Sequence, residues 1–239
     1  ARRVAKAMGG EAVVTTATDA QGLPAFDETA ARLGYDLENP SQIKALNSLL
    51  LEGGVVAIRG AGNRFRDVYA GRSNVLQVGI RDPWPANAEG VVRFGDDSGG
   101  APSAGVPQLI LKRVPVAVGI GCRRGAAEDE IQRTLAAAMD ELDLNDRDIR
   151  AAASIELKRD EAGLVSAIRK RGWPSLFFPA ELLKTVATPN PSDTVEEATG
   201  TPSVCEAAAL LAGQGRLLLP KRVIGRVTVA VATWEKHED

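Results

Sequence analysis

Val114-Pro115-Val116-Ala117-Val118-Gly119-Ile120-Gly121-Cys122-Arg123-Arg124-Gly125-Ala126-Ala127-Glu128-Asp129-Glu130-Ile131 carries the clearest strand–turn–helix pattern in the chain. Its unbroken apolar run predicts a buried strand over 114–119, followed by a glycine-rich turn. The spacing of Ile131, Leu135, Met139 and Leu142 then predicts a helix over 127–142, with Glu128, Asp129 and Glu130 in the first turn, where the helix dipole favours acids. Two further strand–helix units follow, 151–157 with 161–171 and 175–178 with a helical start at 180–183. Helices near 192–198 and 203–212 and strands over 216–219 and 227–232 complete the chain. Alternating strands and helices joined by short turns predict an α/β domain with a mostly parallel, covered sheet.

Upstream the same alternation is shorter and less regular. A helical pattern runs to Met8, a strand is expected over 13–16, and helices over 26–33 and 42–51 follow the turn at Gly22 and Pro24. Ile43, Leu46, Leu49 and Leu50 share one face of the second of these helices, which Gly53 and Gly54 stop. Strands are expected over 55–59, 75–80 and near 91–94. A smaller, partly truncated α/β region is expected here. The glycine-rich stretch 86–106 is expected to hold the main boundary.

Composition narrows the function. The 239 residues are 44% hydrophobic and 25% charged, which suits one or two globular domains. Lys and Arg total 29 against 31 for Asp and Glu, so the chain lacks the cationic surface that a long polyanion requires and no nucleic-acid partner is expected. The longest uncharged run, 98–111, is shorter than a membrane span and rich in glycine, proline and serine, so no membrane partner is expected either. A single histidine, His237, excludes His-dependent triads and most zinc sites. Two cysteines, Cys122 and Cys205, fit a reducing cytoplasm better than a disulfide framework.

Five short constellations carry chemistry, each beside a plainer reading. Residues 119–125 join a strand to a helix, where free amides and Arg123 with Arg124 would hold an anion; close packing alone would also explain the glycines. The third glycine is one residue late for a dinucleotide fingerprint, which disfavours an NAD enzyme. Cys122 is read as a small residue in a tight turn rather than a thiolate nucleophile. The charged end of Ser154-Ile155-Glu156-Leu157-Lys158-Arg159-Asp160-Glu161 should share the sheet edge of the first turn, or be a solvated loop capped by Asp160. Gly200-Thr201-Pro202-Ser203-Val204-Cys205-Glu206 reads as a turn and capping box, with Ser203 at N-cap and Glu206 three residues on. It too is expected at that sheet edge. Glu196 and Glu197 read as surface acids. Thr15-Thr16-Ala17-Thr18-Asp19 follows a strand and could hold a polar ligand, with a solvated loop as the default reading.

Val14 to Asp19, Ala25-Phe26-Asp27, Gly119 to Gly125, Ile155-Glu156-Leu157-Lys158, Pro189-Asn190-Pro191-Ser192, Gly200 to Val204 and Glu206-Ala207-Ala208-Ala209-Leu210 together resemble, in order, the CbiG family of cobalamin biosynthesis proteins, the cobalt-precorrin-5A hydrolases. On this resemblance 1–20 is the end of an N-terminal region and 21–107 a middle region and linker. The C-terminal domain, 108–239, is also similar to the shorter CobE-like proteins, and a preceding segment is expected ahead of Ala1. The resemblance implies opening of the substrate's δ-lactone with loss of the C20 carbon as acetaldehyde, in anaerobic cobalamin biosynthesis. It implies no cofactor and no metal ligands, the cobalt arriving in the substrate. The partner is a cobalt-corrinoid small molecule, with a homodimer left open. Glu206 is taken as general base, with Asp19 and Glu156 next. Gly119, Gly121, Cys122, Arg123, Arg124, Gly125, Lys158, Thr201 and Ser203 are expected around the substrate's acetate and propionate groups. A non-catalytic tetrapyrrole-binding or carrier module is the rival reading.

Overall fold

A computed structural model describes residues 24–95, 100, 102–191 and 203–235. The readings made on 1–23, on 192–202 and on His237 lie outside the described residues, Asp19 and Thr201 among them. The chain forms two compact units that divide between Lys112 and Arg113. Among the described residues no helix is long and apolar enough to cross a membrane.

The first unit runs α1 (Phe26–Arg32), β1 (Tyr35–Leu37), α2 (Ile43–Glu52), β2 (Val56–Arg59), α3 (Asn63–Val68), β3 (Val75–Val78), β4 (Gly90–Phe94) and β5 (Gln108–Arg113). Its five-stranded sheet has the order β1-β5-β4-β2-β3, with β3, β2, β4 and β5 paired in parallel. Helix α2 buries Leu46 and Leu50 and ends where Gly53 turns left-handed at φ +81°, a conformation that costs glycine nothing. The core is aromatic. Phe65 lies 4.7 Å from Phe94 and 5.3 Å from Tyr69, ring centre to ring centre, and Phe26 stacks on Tyr69 from the far side at 4.9 Å. Strand β5 follows the glycine-rich stretch and closes this first sheet.

The second unit runs β6 (Val116–Cys122), α4 (Glu128–Glu141), β7 (Ile149–Ile155), α5 (Ala162–Arg171), β8 (Ser175–Phe178), α6 (Ala180–Lys184), α7 (Val204–Gly213), β9 (Gln214–Ile224) and β10 (Val227–Trp234). The sheet order is β8-β7-β6-β10-β9. Strands β6, β7 and β8 pair in parallel, as the alternation predicts. The closing strands β10 and β9 join antiparallel, because they form a hairpin that returns beside β6 and has no crossover helix.

Period-two alternation along β6 sends its residues to two different layers. Val116, Val118 and Ile120 meet Ile131, Leu135, Leu164 and Ile168 of α4 and α5. Ala117, Gly119 and Gly121 face the opposite side, where Ala207, Ala208 and Ala212 of α7 are buried with Ala117 and Ala153. The approach there is so close that a methyl on Gly119 would fall on the Cys205 carbonyl and lie 2.7 Å from the Ala209 nitrogen. Gly119 and Gly121 therefore lie inside a strand and serve packing, where the sequence placed them in a turn. Replacing Gly119 with Ala forces two backbones apart and should cost about 2–3 kcal/mol or more. Gly125→Ala, in open space at φ +70°, should cost only about 1–2 kcal/mol of left-handed strain. Urea unfolding of the two variants checks the order, and equal losses would contradict the packing account.

Candidate functional site

Strand β6 ends at Cys122, and the turn to α4 is tied up by its own chain. The Arg123 amide donates to the Arg226 carbonyl at 3.0 Å and the Ala126 amide to the Arg123 carbonyl at 3.2 Å. The Gly125 amide donates to Glu161 Oε1 at 2.7 Å. The anion expected on this turn is thus the carboxylate of Glu161, at the start of α5. Its other oxygen accepts from Lys158 Nζ at 3.2 Å, and both side chains are largely covered. The Gly125 amide, followed by Lys158, holds the Glu161 carboxyl below the usual carboxylate range in spite of desolvation. Gly125 and Lys158 are therefore engaged with Glu161, which sequence reasoning noted only as a helix start. The Lys158–Glu161 spacing of i to i+3 was the available signal.

Arg226 was also missed. From the β9–β10 hairpin its guanidinium donates to the Arg124 and Gly125 carbonyls at 2.6 and 3.4 Å, and its amide to Glu130 Oε1 at 2.6 Å. Arg123 and Arg124 themselves are exposed at this edge. Their guanidinium groups make no ion pair among the described residues.

The described part of the second expected turn, Ser203 to Glu206, reaches the same edge. Helix α7 begins with Val204 against Gly121, at the carboxyl end of β6, and ends with Gly213 beside Ala117 at the opposite end. Ser203 is the N-cap residue, yet its hydroxyl caps no backbone amide. It donates instead to Glu206 Oε2 at 3.1 Å, so the expected capping box becomes a side-chain pair.

Glu206 is fully buried, and its two oxygens accept four hydrogen bonds from the described residues. The Asn190 amide and the Ser203 hydroxyl reach Oε2 at 3.2 and 3.1 Å, while Asn190 Nδ2 and the Lys221 amide reach Oε1 at 2.7 and 2.9 Å. The Lys221 amide is available because β9 bulges here. Two residues, Pro220 and Lys221, stand opposite the single Ala230, between the pairs Leu219–Val231 and Arg222–Val229. Lys221 Nζ then returns to the Asn190 carbonyl at 2.6 Å. Burial would raise the Glu206 pKa, but the donors from Lys221, Asn190 and Ser203 outweigh it and hold the carboxyl below its ordinary range. A carboxylate with four donors has no open lone pair for a substrate proton. Among the described residues the geometry of Glu206 is that of a clamp joining three segments.

The remaining expected residues separate. Burial pushes the Cys122 thiol up against the weaker pull of Lys158, and Cys205, deeper, is pushed up to about 11. Burial thus favours the thiol form of both. Glu156 is half-exposed, with Arg159 at 3.4 Å.

A mixed sheet with helices on both faces and polar residues gathered at the carboxyl ends of its parallel strands defines an α/β protein of the type that receives small ligands at that edge. Residues 116–232 match the family model described as cobalamin synthesis G C-terminus. The chain is 31% identical over 120 residues to the protein CobE of Sinorhizobium sp, covering 48% of this chain and 77% of that protein. It belongs to this family of cobalamin biosynthesis proteins. It is 28% identical over 238 residues to the cobalt-precorrin-5A hydrolase of Priestia megaterium, an alignment covering 97% of this chain. The chain spans 64% of the length of that relative. A solved cobalamin biosynthesis protein G homolog from Sulfolobus solfataricus has the same fold, with a TM-score of 0.64 at 20% identity over 98% of this chain and 66% of that one.

The Glu206 network sets a pH signature. A carboxyl whose folded pKa is depressed contributes stability that is fully present above its unfolded value, about 4.3, and lost as pH falls through the folded value. Glu206→Gln reverses two of the four acceptor positions and should cost about 1–3 kcal/mol at pH 7. The gap to wild type should close as pH falls below about 4. Denaturant titrations at pH 7, 5 and 3 check this, and a pH-independent gap would contradict it.

Proposed function

We propose that this protein is a cytoplasmic cobalt-precorrin-5A hydrolase. It opens the substrate's δ-lactone with water and releases the C20 carbon and its methyl group as acetaldehyde. The observation that carries the reading is the alignment of 97% of the chain with the Priestia hydrolase. Water adds to the lactone carbonyl, and collapse of the oxyanion frees the C20 hydroxyl. Loss of the hydroxyl proton lets the C20–macrocycle bond break, with its electron pair and a proton returning to the macrocycle. Cobalt arrives bound in the substrate, so the protein has no metal of its own to hold.

In this reading the exposed guanidiniums of Arg123 and Arg124 pair with peripheral carboxylates of the corrinoid. Lys158, Glu161 and Arg226 keep the turn that carries them in shape. Glu206 sets the positions of Asn190, Ser203 and the start of α7, and the proton-accepting role passes to Asp19 or Glu156.

Single-turnover release of acetaldehyde from cobalt-precorrin-5A tests the reading. Wild type should release one equivalent. Tight binding of intact substrate without acetaldehyde would make the protein a tetrapyrrole carrier. Arg123→Ala and Arg124→Ala should each weaken substrate binding about tenfold. Glu206→Gln should retain release within about tenfold of wild type, whereas loss of a general base would cost about a hundredfold or more.

A further inference from the structure

At the carboxyl ends of β2 and β3 the first unit opens a cleft of about 220 Å3. Its floor and wall are Ile58, Ala61, Val78 and Ile80, and Arg66 of α3 and Gln77 of β3 line it beside them. Ile58 is buried beneath the cleft, whereas Ile80 is 61% exposed, a large apolar side chain left in water at its mouth. Arg66 and Gln77 are exposed, and neither side chain makes a hydrogen bond or ion pair among the described residues. The neighbouring arginine of β2 is different: Arg59 is buried, donates to the Asp82 carbonyl at 3.0 Å and lies over the Trp84 ring at 3.7 Å. Arg66 is thus an unpaired cation in the lining of the cleft, and Gln77 adds an amide donor to the same lining.

Size and chemistry narrow the ligand. Pockets that enclose a whole drug-sized molecule run roughly 300 to 1,000 Å3, so this cleft takes one side arm and leaves a macrocycle outside. An apolar floor suits a methylene stem, and the forked guanidinium suits the planar carboxylate at its end. We propose that the cleft lined by Ile58, Ala61, Val78 and Ile80 binds one carboxyalkyl arm of the corrinoid substrate, with Arg66 and Gln77 holding its carboxylate. The identity of the arm's owner rests on the hydrolase reading. The cleft's preference for an aliphatic carboxylate does not.

The test has two arms, both on the full chain. In the first, the 15N-labelled protein is titrated with butyrate and, separately, with the neutral butyramide. Butyrate should shift the Ala61 and Val78 amides saturably, butyramide should not, and Arg66→Gln should abolish the shift. No saturable shift in wild type, or one that survives in Arg66→Gln, overturns the carboxylate site. In the second arm, Arg66→Gln should raise KM for cobalt-precorrin-5A about tenfold with little of the loss on kcat. An unchanged KM overturns the assignment of the arm to the substrate. Absence of acetaldehyde from wild type strikes the hydrolase reading alone, since the butyrate titration still decides the cleft.

Discussion

Helix α7 rests on β6 with nothing between them at Gly119 but two backbones, and the arrangement of the second unit follows from that contact. Dispersion and apolar burial reward close approach only where both surfaces are smooth. The surface on one side is Ala117, Gly119 and Gly121, and on the other Ala207, Ala208, Ala209 and Ala212. No bulky side chain could be tolerated on this side of β6, so the large residues Val116, Val118 and Ile120 must all face α4 and α5. The register of the helix along the strand is fixed by the same contact. It brings the first turn of α7 to the carboxyl end of β6, level with Arg123 and Arg124.

Glu206 could not be buried there without its four donors. A carboxylate removed from water and left unpaired would be driven to its neutral form. The bulge at Pro220 and Lys221 supplies one donor at the cost of a ladder bond, and Asn190 supplies two. One side chain thereby joins residues 190, 203 and 221, drawn from three separate segments. Networks of this kind contribute less to net stability than to the selection of one arrangement among several. At a sheet edge proposed to hold a ligand, a single arrangement is the useful property.

At the neighbouring turn, backbone and side chains have separate tasks. Because Glu161 and the Arg226 carbonyl already occupy the amides of Gly125 and Arg123, the backbone is committed to holding shape. The guanidiniums of Arg123 and Arg124 extend into solvent from a rigid base. In the proposed function, long cations on a rigid turn adjust to the spread of carboxylates around a macrocycle, whereas a preformed amide cradle would select one compact anion.

Much of this was legible in residue order. Helix α4 follows from the spacing of Ile131, Leu135 and Met139 behind three acids, α2 from Leu46 and Leu50 ahead of Gly53, and the parallel run β6–β7–β8 from alternation alone. The family itself was readable from short strings such as Pro189-Asn190-Pro191-Ser192. Local periodicity is a property of neighbours in the chain, so sequence determines it. Other features depend on residues far apart in the chain: Gly125 meets a carboxylate 36 positions away, and Glu206 meets an amide 15 positions away across a bulge. A glycine reads the same in a turn as in a strand pressed against a helix, and a glutamate reads the same as an open base or a saturated clamp. The difference lies in which distant donors and backbones arrive beside them, and no spacing rule within one segment encodes that.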